Sequence, residues 1–461
     1  MIKVYLDKNI KTSTFLLLLL LVIPICVFLA LLKILYLAIF LGVIVVSFIL
    51  TAIFLKPFFG VLLLFAMFPF KLEIPVGTTF ISSNEILVCY ILLVMFIQRL
   101  FLGVKLPKLT KYHILFLIFV GFIALSIFQS VDKEETVKGI FRYIGYLLMF
   151  SIVIRYADSI QKIKALLITL IVVHLGLSLY GFYQVKTIRV FEWFGTNIFR
   201  LRAVYDNPNN FVVALEYLIP ITIGLYWGKV IKKRFLAYLI LGLLFLAVIL
   251  TQTRTSWIAI TLILNYMLYK RYRVKVALIV PTIILILILL YPVYPDMVKQ
   301  RMETLADPNF ASNKGRIILL RTTYNMFKDY WLFGTGFANS DNIFFRYKLP
   351  GIPSHINDIH IMYMVIAVEL GIFGGIVFLL FFIIPFRDII KIYKKTEDKE
   401  LKYMALGIGS GLLCVGIHLL NDHLFNDVRV EWLFWGMLGI ISSFNHIEKL
   451  KLKTDNRQFT I

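Results

Sequence analysis

Apolar runs the length of a bilayer crossing recur from one end of this chain to the other, beginning with "FLLLLLLVIPICVFLALLK" at residues 15–33. A hydrocarbon layer is spanned by roughly 20 apolar residues in an α-helix, because in lipid every backbone N–H and C=O must find its partner inside the segment. Windows of that kind fall near 15–32, 34–55, 85–101, 112–128, 139–154, 165–185, 209–227, 235–250, 255–269, 275–292, 360–385, 403–420 and 430–445, with a shorter run at 57–70. Composition agrees: 60% of the 461 residues are hydrophobic and only 16% charged, too few to cover a water-soluble globule of this size. The expected fold class is an all-α polytopic membrane protein with about 12–14 transmembrane helices and one long external loop containing short helices. The first run is too long for the core of a secretory leader and no small-x-small cleavage pattern follows it, so it reads as a retained span. Cys26, Cys89 and Cys414 all lie inside apolar runs, which argues against a disulfide framework or a thiolate metal site.

The chain divides into N-terminal spans over 1–185, spans with arginine-bearing external loops over 186–292, the long loop over 293–359, and C-terminal spans with a basic tail over 360–461. Its formal charge of +22 is explained by alternate loops. Lys3 to Lys11, Lys56, Arg99 to Lys111, Arg155 to Lys164, Lys229 to Arg234, Lys270 to Lys275, Arg387 to Lys402 and the "KLKLK" tail form one basic face, which places both termini in the cytoplasm. Orientation and contact with anionic membrane lipids account for this charge, and no nucleic acid is needed. The other loops, at 71–84, 129–138, 186–208, 251–254, 293–359 and 421–429, then face outward.

Basic residues on that outward face break the pattern. Arg200 and Arg202 lie in the 186–208 loop, and Arg316 and Arg321 in the long loop, about one and a half helical turns apart. Arg254, inside "TQTRTS", sits at membrane depth, where a guanidinium needs a carboxylate partner, a wet cavity or an anion. Guanidinium groups suit phosphate oxygens through their bidentate geometry. His360 stands at the start of the helix after the long loop, either as a plain interfacial residue or as a base for a hydroxyl nucleophile. His355, Asp358 and His360 fit no recurring zinc spacing. Glu369 lies roughly 13 Å further along the same helix and reads as a buried acid bonded to a neighbour, with "GIFGG" packing closely beside it.

Taken together these stretches resemble the O-antigen ligase and O-antigen polymerase superfamily of bacterial membrane glycosyltransferases. "RAVYDNPNNF" at 202–211, carrying Asn209, is similar to an arginine-led element before a span. "TQTRTSW" at 251–257 resembles a second motif, "GRIILLRTTYNMFKDYWLFGTGFAN" a third, and "HIMYMVIAVELG" at 360–371, carrying Tyr363 and Glu369, a fourth. They occur in family order over about residues 200–385. Ile361, Thr253 and Thr255 depart from the pattern.

The resemblance implies transfer of a glycan from an undecaprenyl-diphosphate carrier to an acceptor hydroxyl at the outer face of the bacterial cytoplasmic membrane. The acceptor would be a glycan, a lipid A core or a protein. It further implies His360 as base and Arg254 at the departing diphosphate, with Arg202, Arg200 and Arg316 binding it. Arg321, Asn209, Tyr363 and Glu369 would be in support, and no metal or other cofactor is required. From another class, a transporter with an arginine-lined cavity for the same lipid-linked substrate is the alternative; no internal repeat favours it.

Overall fold

The apolar windows that fall on described residues become helices, several of them capped by local side chains. The computed structural model describes residues 42–76, 79–103, 109–187, 192–193, 196–197, 200–273, 311–352, 356 and 358–458. The chain falls into two units, residues 1–59 and 60–461. In the first lies α1 (Gly42–Leu55), and α2 (Pro57–Met67) begins at its end. Then follow α3 (Ser83–Leu102), α4 (Lys111–Ser126), α5 (Lys133–Tyr156), α6 (Ile160–Thr187), α7 (Pro208–Trp227), α8 (Arg234–Thr251) and α9 (Arg254–Tyr272). The long loop contributes α10 (Ala311–Tyr330) and α11 (Ser340–Tyr347), and α12 (Met362–Lys395), α13 (Lys399–His418) and α14 (Val428–Gln458) complete the chain. Among the described residues, seven helices, α3, α5, α6, α7, α8, α12 and α13, are long and apolar enough to cross a membrane. This is an all-α polytopic membrane protein. The windows at 15–32 and 275–292 lie outside the described residues.

Among the described residues, strands are confined to two small antiparallel pairs, neither anticipated from hydropathy. β1 (Glu73–Val76) pairs with β2 (Thr79–Ser82), and β3 (Glu192–Trp193) with β4 (Thr196–Asn197). Ser82 ends β2 and at once begins α3: its hydroxyl accepts from the Glu85 N–H while the Glu85 carboxylate accepts from the Ser82 N–H, a reciprocal cap. Asp132, Asn207 and Asp398 cap α5, α7 and α13 through the same kind of side-chain acceptor, and Pro208 suits the first turn of α7 because no N–H is needed there.

The helices differ sharply in burial. Of the α7 span, 89% is buried, against 17% for α3, so α7 is the central helix and α3 presents its side chains to lipid. The partner of α7 is α13, and the two backbones nearly touch. A Cβ on Gly224 would lie 2.4 Å from the Tyr403 carbonyl oxygen, and one on Gly407 2.7 Å from that of Pro220. Small residues permit such an approach, which is how membrane helices gain packing without a hydrophobic drive between them. A second core joins α4, α5, α12 and α14 around the fully buried Trp435, whose ring meets Phe116, Tyr143 and Phe381.

Loop contacts divide cleanly between the two ends. At one end Asn339 exchanges hydrogen bonds with the Asp132 backbone, Arg200 reaches Thr251, Arg429 reaches Asp206, and Asn421 reaches Thr255. These segments are the ones the charge pattern assigns to a common side. At the other end Lys111 pairs with Asp388, Lys164 with Glu400, and the Tyr393 hydroxyl donates to the Lys270 carbonyl.

The long helix α12 is bent at Gly371 (φ 70°, ψ −179°), a backbone conformation available only to glycine. The segment before α11 docks into that bend. Thr335 and Gly336 donate backbone N–H groups to the carbonyls of Val368 and Glu369, and Ile372 donates to Trp331. The Glu369 carboxylate accepts from both the N–H and the hydroxyl of Ser340, the first residue of α11.

Candidate functional site

His360 lies two residues before α12, whose first N–H, on Met362, donates to the Leu419 carbonyl just past the end of α13. This bond brings the start of α12 beside the polar turn that follows α13. A small cavity opens there, lined by Leu319, Leu320 and Thr323 of α10 together with His360, Ile361 and Asn421. Asn421 has a second role: its amide donates to the Thr255 hydroxyl at 2.6 Å, and Thr255 follows Arg254. Arg254 is the first residue of α9 and is 8% exposed. The residue proposed as base and the arginine at membrane depth are therefore brought to the same end of the bundle, with Asn421 between their segments. The N-terminus of α9 adds to the positive potential, since the first-turn N–H groups of a helix point outward and favour an anion.

The turn that presents Arg254 is made by Gln252, in the left-handed conformation (φ 53°, ψ 31°), which ends α8 and starts α9 within two residues. Arg200 is laced to this turn. Its Nε donates to the Thr251 carbonyl at 2.8 Å, and its Nη2 to Thr253 Oγ1 at 3.1 Å and Asn209 Oδ1 at 2.8 Å. The Thr253 hydroxyl also donates to Asn209 Oδ1, at 3.0 Å. Of the supporting residues, Asn209 thus belongs to this cluster.

Others are placed elsewhere. Arg202 is exposed and reaches the Asp206 carbonyl at 3.3 Å. Arg321 is exposed on α10 and does not line the cavity. The Arg316 side chain and His355 lie outside the described residues. The Tyr363 hydroxyl donates to the Gly416 carbonyl, fixing α12 to α13. Glu369 is 4% exposed and engaged with Ser340, so its contact is structural.

Several residues at this end were not singled out from the sequence. The turn "HLLNDHLFND" at 418–427 supplies His418, Asn421, Asp422 and His423, and its density of polar groups between two apolar runs was the available signal. Burial, with the neighbouring His360 second, lowers the His423 pKa from 6.5 to about 4. Its Nδ1 is enclosed and makes no hydrogen bond among the described residues. Arg429 ties this turn to the 200–210 segment: Nε and Nη2 grip Asp427, Nη2 also reaches Asp206 at 2.6 Å, Nη1 donates to the Val204 carbonyl at 2.7 Å, and the guanidinium lies 4.8 Å over the Tyr205 ring.

Residues 239–379 match the family model described as O-antigen ligase. Over that stretch the chain is similar to the O-antigen ligase family. The matched segment runs from within α8 to within α12, so it takes in Arg254, the long loop, His360 and Glu369, and leaves Arg200, Asn209 and Asp422 outside. It supports a glycan-transferring ligase or polymerase. No curated protein matches the chain.

Proposed function

We propose that this protein transfers a glycan from an undecaprenyl-diphosphate carrier to an acceptor hydroxyl at the outer face of a bacterial cytoplasmic membrane, with both termini in the cytoplasm. The observation that carries the reading is the link through Asn421, which lines a cavity with His360 and hydrogen-bonds the residue next to Arg254. A departing lipid diphosphate needs fixed cations near the membrane surface, and the attacking hydroxyl needs a base.

In the proposed step the acceptor oxygen attacks the anomeric carbon and its proton passes to a ring nitrogen of His360. The bond from that carbon to the diphosphate oxygen breaks, and its electron pair leaves with the diphosphate. Arg254, the N-terminus of α9 and Arg200 offset the charge that grows there. A single displacement of this kind inverts the anomeric centre.

The test is turnover of a polyprenyl-diphosphate glycan by purified protein in detergent, where no second compartment exists. The wild type should release polyprenyl diphosphate, and His360→Ala and Arg254→Ala should each release none while accumulating normally in the membrane. A wild type that leaves the donor chemically unchanged would point to transport, and full turnover by either variant would remove that residue from the mechanism.

A further inference from the structure

Glu216 is an ionisable residue in the middle of the most buried span, and its side chain is 0% exposed. A carboxylate at such a position is costly unless compensated. Its partner is His418, also fully buried, whose Nδ1 lies 2.8 Å from Glu216 Oε1, with the Ser256 hydroxyl at 3.4 Å from the same nitrogen. The other ring nitrogen, Nε2, lies 3.1 Å from Asp422 Oδ2. That same oxygen accepts from Asn209 Nδ2 at 3.3 Å, and Asn209 Oδ1 accepts from Arg200 and Thr253. The chain of contacts runs unbroken from the interior of α7 to the arginine at the site.

Proton counting gives this chain a direction. Each of the two imidazole–carboxylate contacts requires one proton, so two protons are shared among Glu216, His418 and Asp422. Wherever the second proton sits, the three groups together carry one net negative charge, which balances the single charge of Arg200. Because Asp422 accepts, the Asn209 amide must turn its NH2 toward it and its oxygen toward the guanidinium. A flipped amide would set oxygen against carboxylate and NH2 against guanidinium, two repulsive contacts in place of attractive ones.

We propose that Glu216 and His418 are positioning residues for transfer: through Asp422 they fix the polarity of the Asn209 amide and so hold the Arg200 guanidinium in place for the donor diphosphate. This rests on the reading of Arg200 as a diphosphate-binding group. Neither residue touches the cavity; each acts through the next.

The experiment compares full-length wild type with His418→Gln, Glu216→Gln and Asp422→Asn, using geranylgeranyl diphosphate as a binding probe by thermal shift and polyprenyl-diphosphate glycan for turnover. Misplacing a binding group by an ångström loses about a hundredfold, so each variant should lose about tenfold to a hundredfold in kcat/KM for the donor. The loss should appear in donor KM and in probe binding, with acceptor KM unchanged. The isosteric pair Asn209→Asp with Asp422→Asn returns an acceptor to Arg200 and a donor from position 422. It should recover at least tenfold over Asp422→Asn alone.

Single variants that bind and turn over donor as the wild type does would overturn the proposal. So would a paired variant no better than Asp422→Asn, which would leave only packing as the role of these groups. A wild type that binds the probe but transfers nothing would refute the transfer reading instead, and the binding arm would still decide the positioning.

Discussion

Replacing Gly371 by alanine tests how the long loop is held against α12. The new Cβ would lie 2.1 Å from the Leu332 carbonyl oxygen and 2.5 Å from its carbon, and the residue would have to keep φ near 70° with ψ near −179°. Strain in that region costs about 1–3 kcal/mol. Relief requires the segment at 331–340 to lift away, which breaks three backbone hydrogen bonds, from Thr335, Gly336 and Ile372, each with a net value of about 1 kcal/mol. Lifting also removes the Ser340 hydrogen bonds to Glu369, about 2 kcal/mol when the acceptor is charged. The contacts forfeited when the overlap forces undocking therefore come to about 5 kcal/mol, lost locally while the spans remain folded. Hydrogen exchange reads this directly: the amides of Thr335 and Gly336 should exchange about a thousandfold to ten-thousandfold faster, since each 1.4 kcal/mol is tenfold. Gly176→Ala in α6 is the control, because its Cβ would meet nothing within 4 Å and helical alanine is favoured over glycine by about 0.5–1 kcal/mol. Wild-type exchange in Gly371→Ala would refute the account of the bend.

Arg429→Lys keeps the charge but not the fork that grips Asp427, Asp206 and the Val204 carbonyl at once. It should lower stability by about 3 kcal/mol and open the 200–210 segment to protease, and an unchanged melting temperature would argue against it. For His423 the folded pKa, about 4, lies below the ordinary 6.5, so the unfolded chain takes up a proton first as pH falls. Stability should decline between about pH 6.5 and 4. His423→Gln should lessen that decline in melting temperature; equal slopes for both proteins would show that another group is responsible.

The spans were legible because lipid leaves the backbone one local solution, and a run of apolar residues is its direct record. The grouping of loops was legible too: the turns at 129–138, 251–254 and 421–429 hydrogen-bond to other segments that the charge pattern set on the same side. Arg254 and His360 stood out because charge and imidazole are conspicuous at span ends. Hydropathy is blind to backbone dihedrals, so the bend at Gly371 and the docking of Gly334 and Gly336 beside it left no trace beyond the letters themselves. Arg202 was expected at the diphosphate ahead of Arg200, yet the structure exposes Arg202 and laces Arg200 to the turn at Thr251 and Thr253.

Glu216 and His418 were missed for a different reason. They are separated by 202 residues and meet only because Gly224 and Gly407 let α7 and α13 approach backbone to backbone. A single carboxylate in "FVVALEYLIPITIG" announces that something must neutralise it, but which of the seven histidines does so is decided by a helix crossing. That crossing also explains why a charged pair is tolerated so deep. Asp422 and Arg200 extend the pair toward the polar end of the bundle, so the net charge of the four groups is zero. A buried cluster balanced in this way gains little stability, since desolvation offsets most of the attraction, but it admits only one orientation of the Asn209 amide. Rigidity at Arg200, rather than stability of the fold, is what such an arrangement supplies.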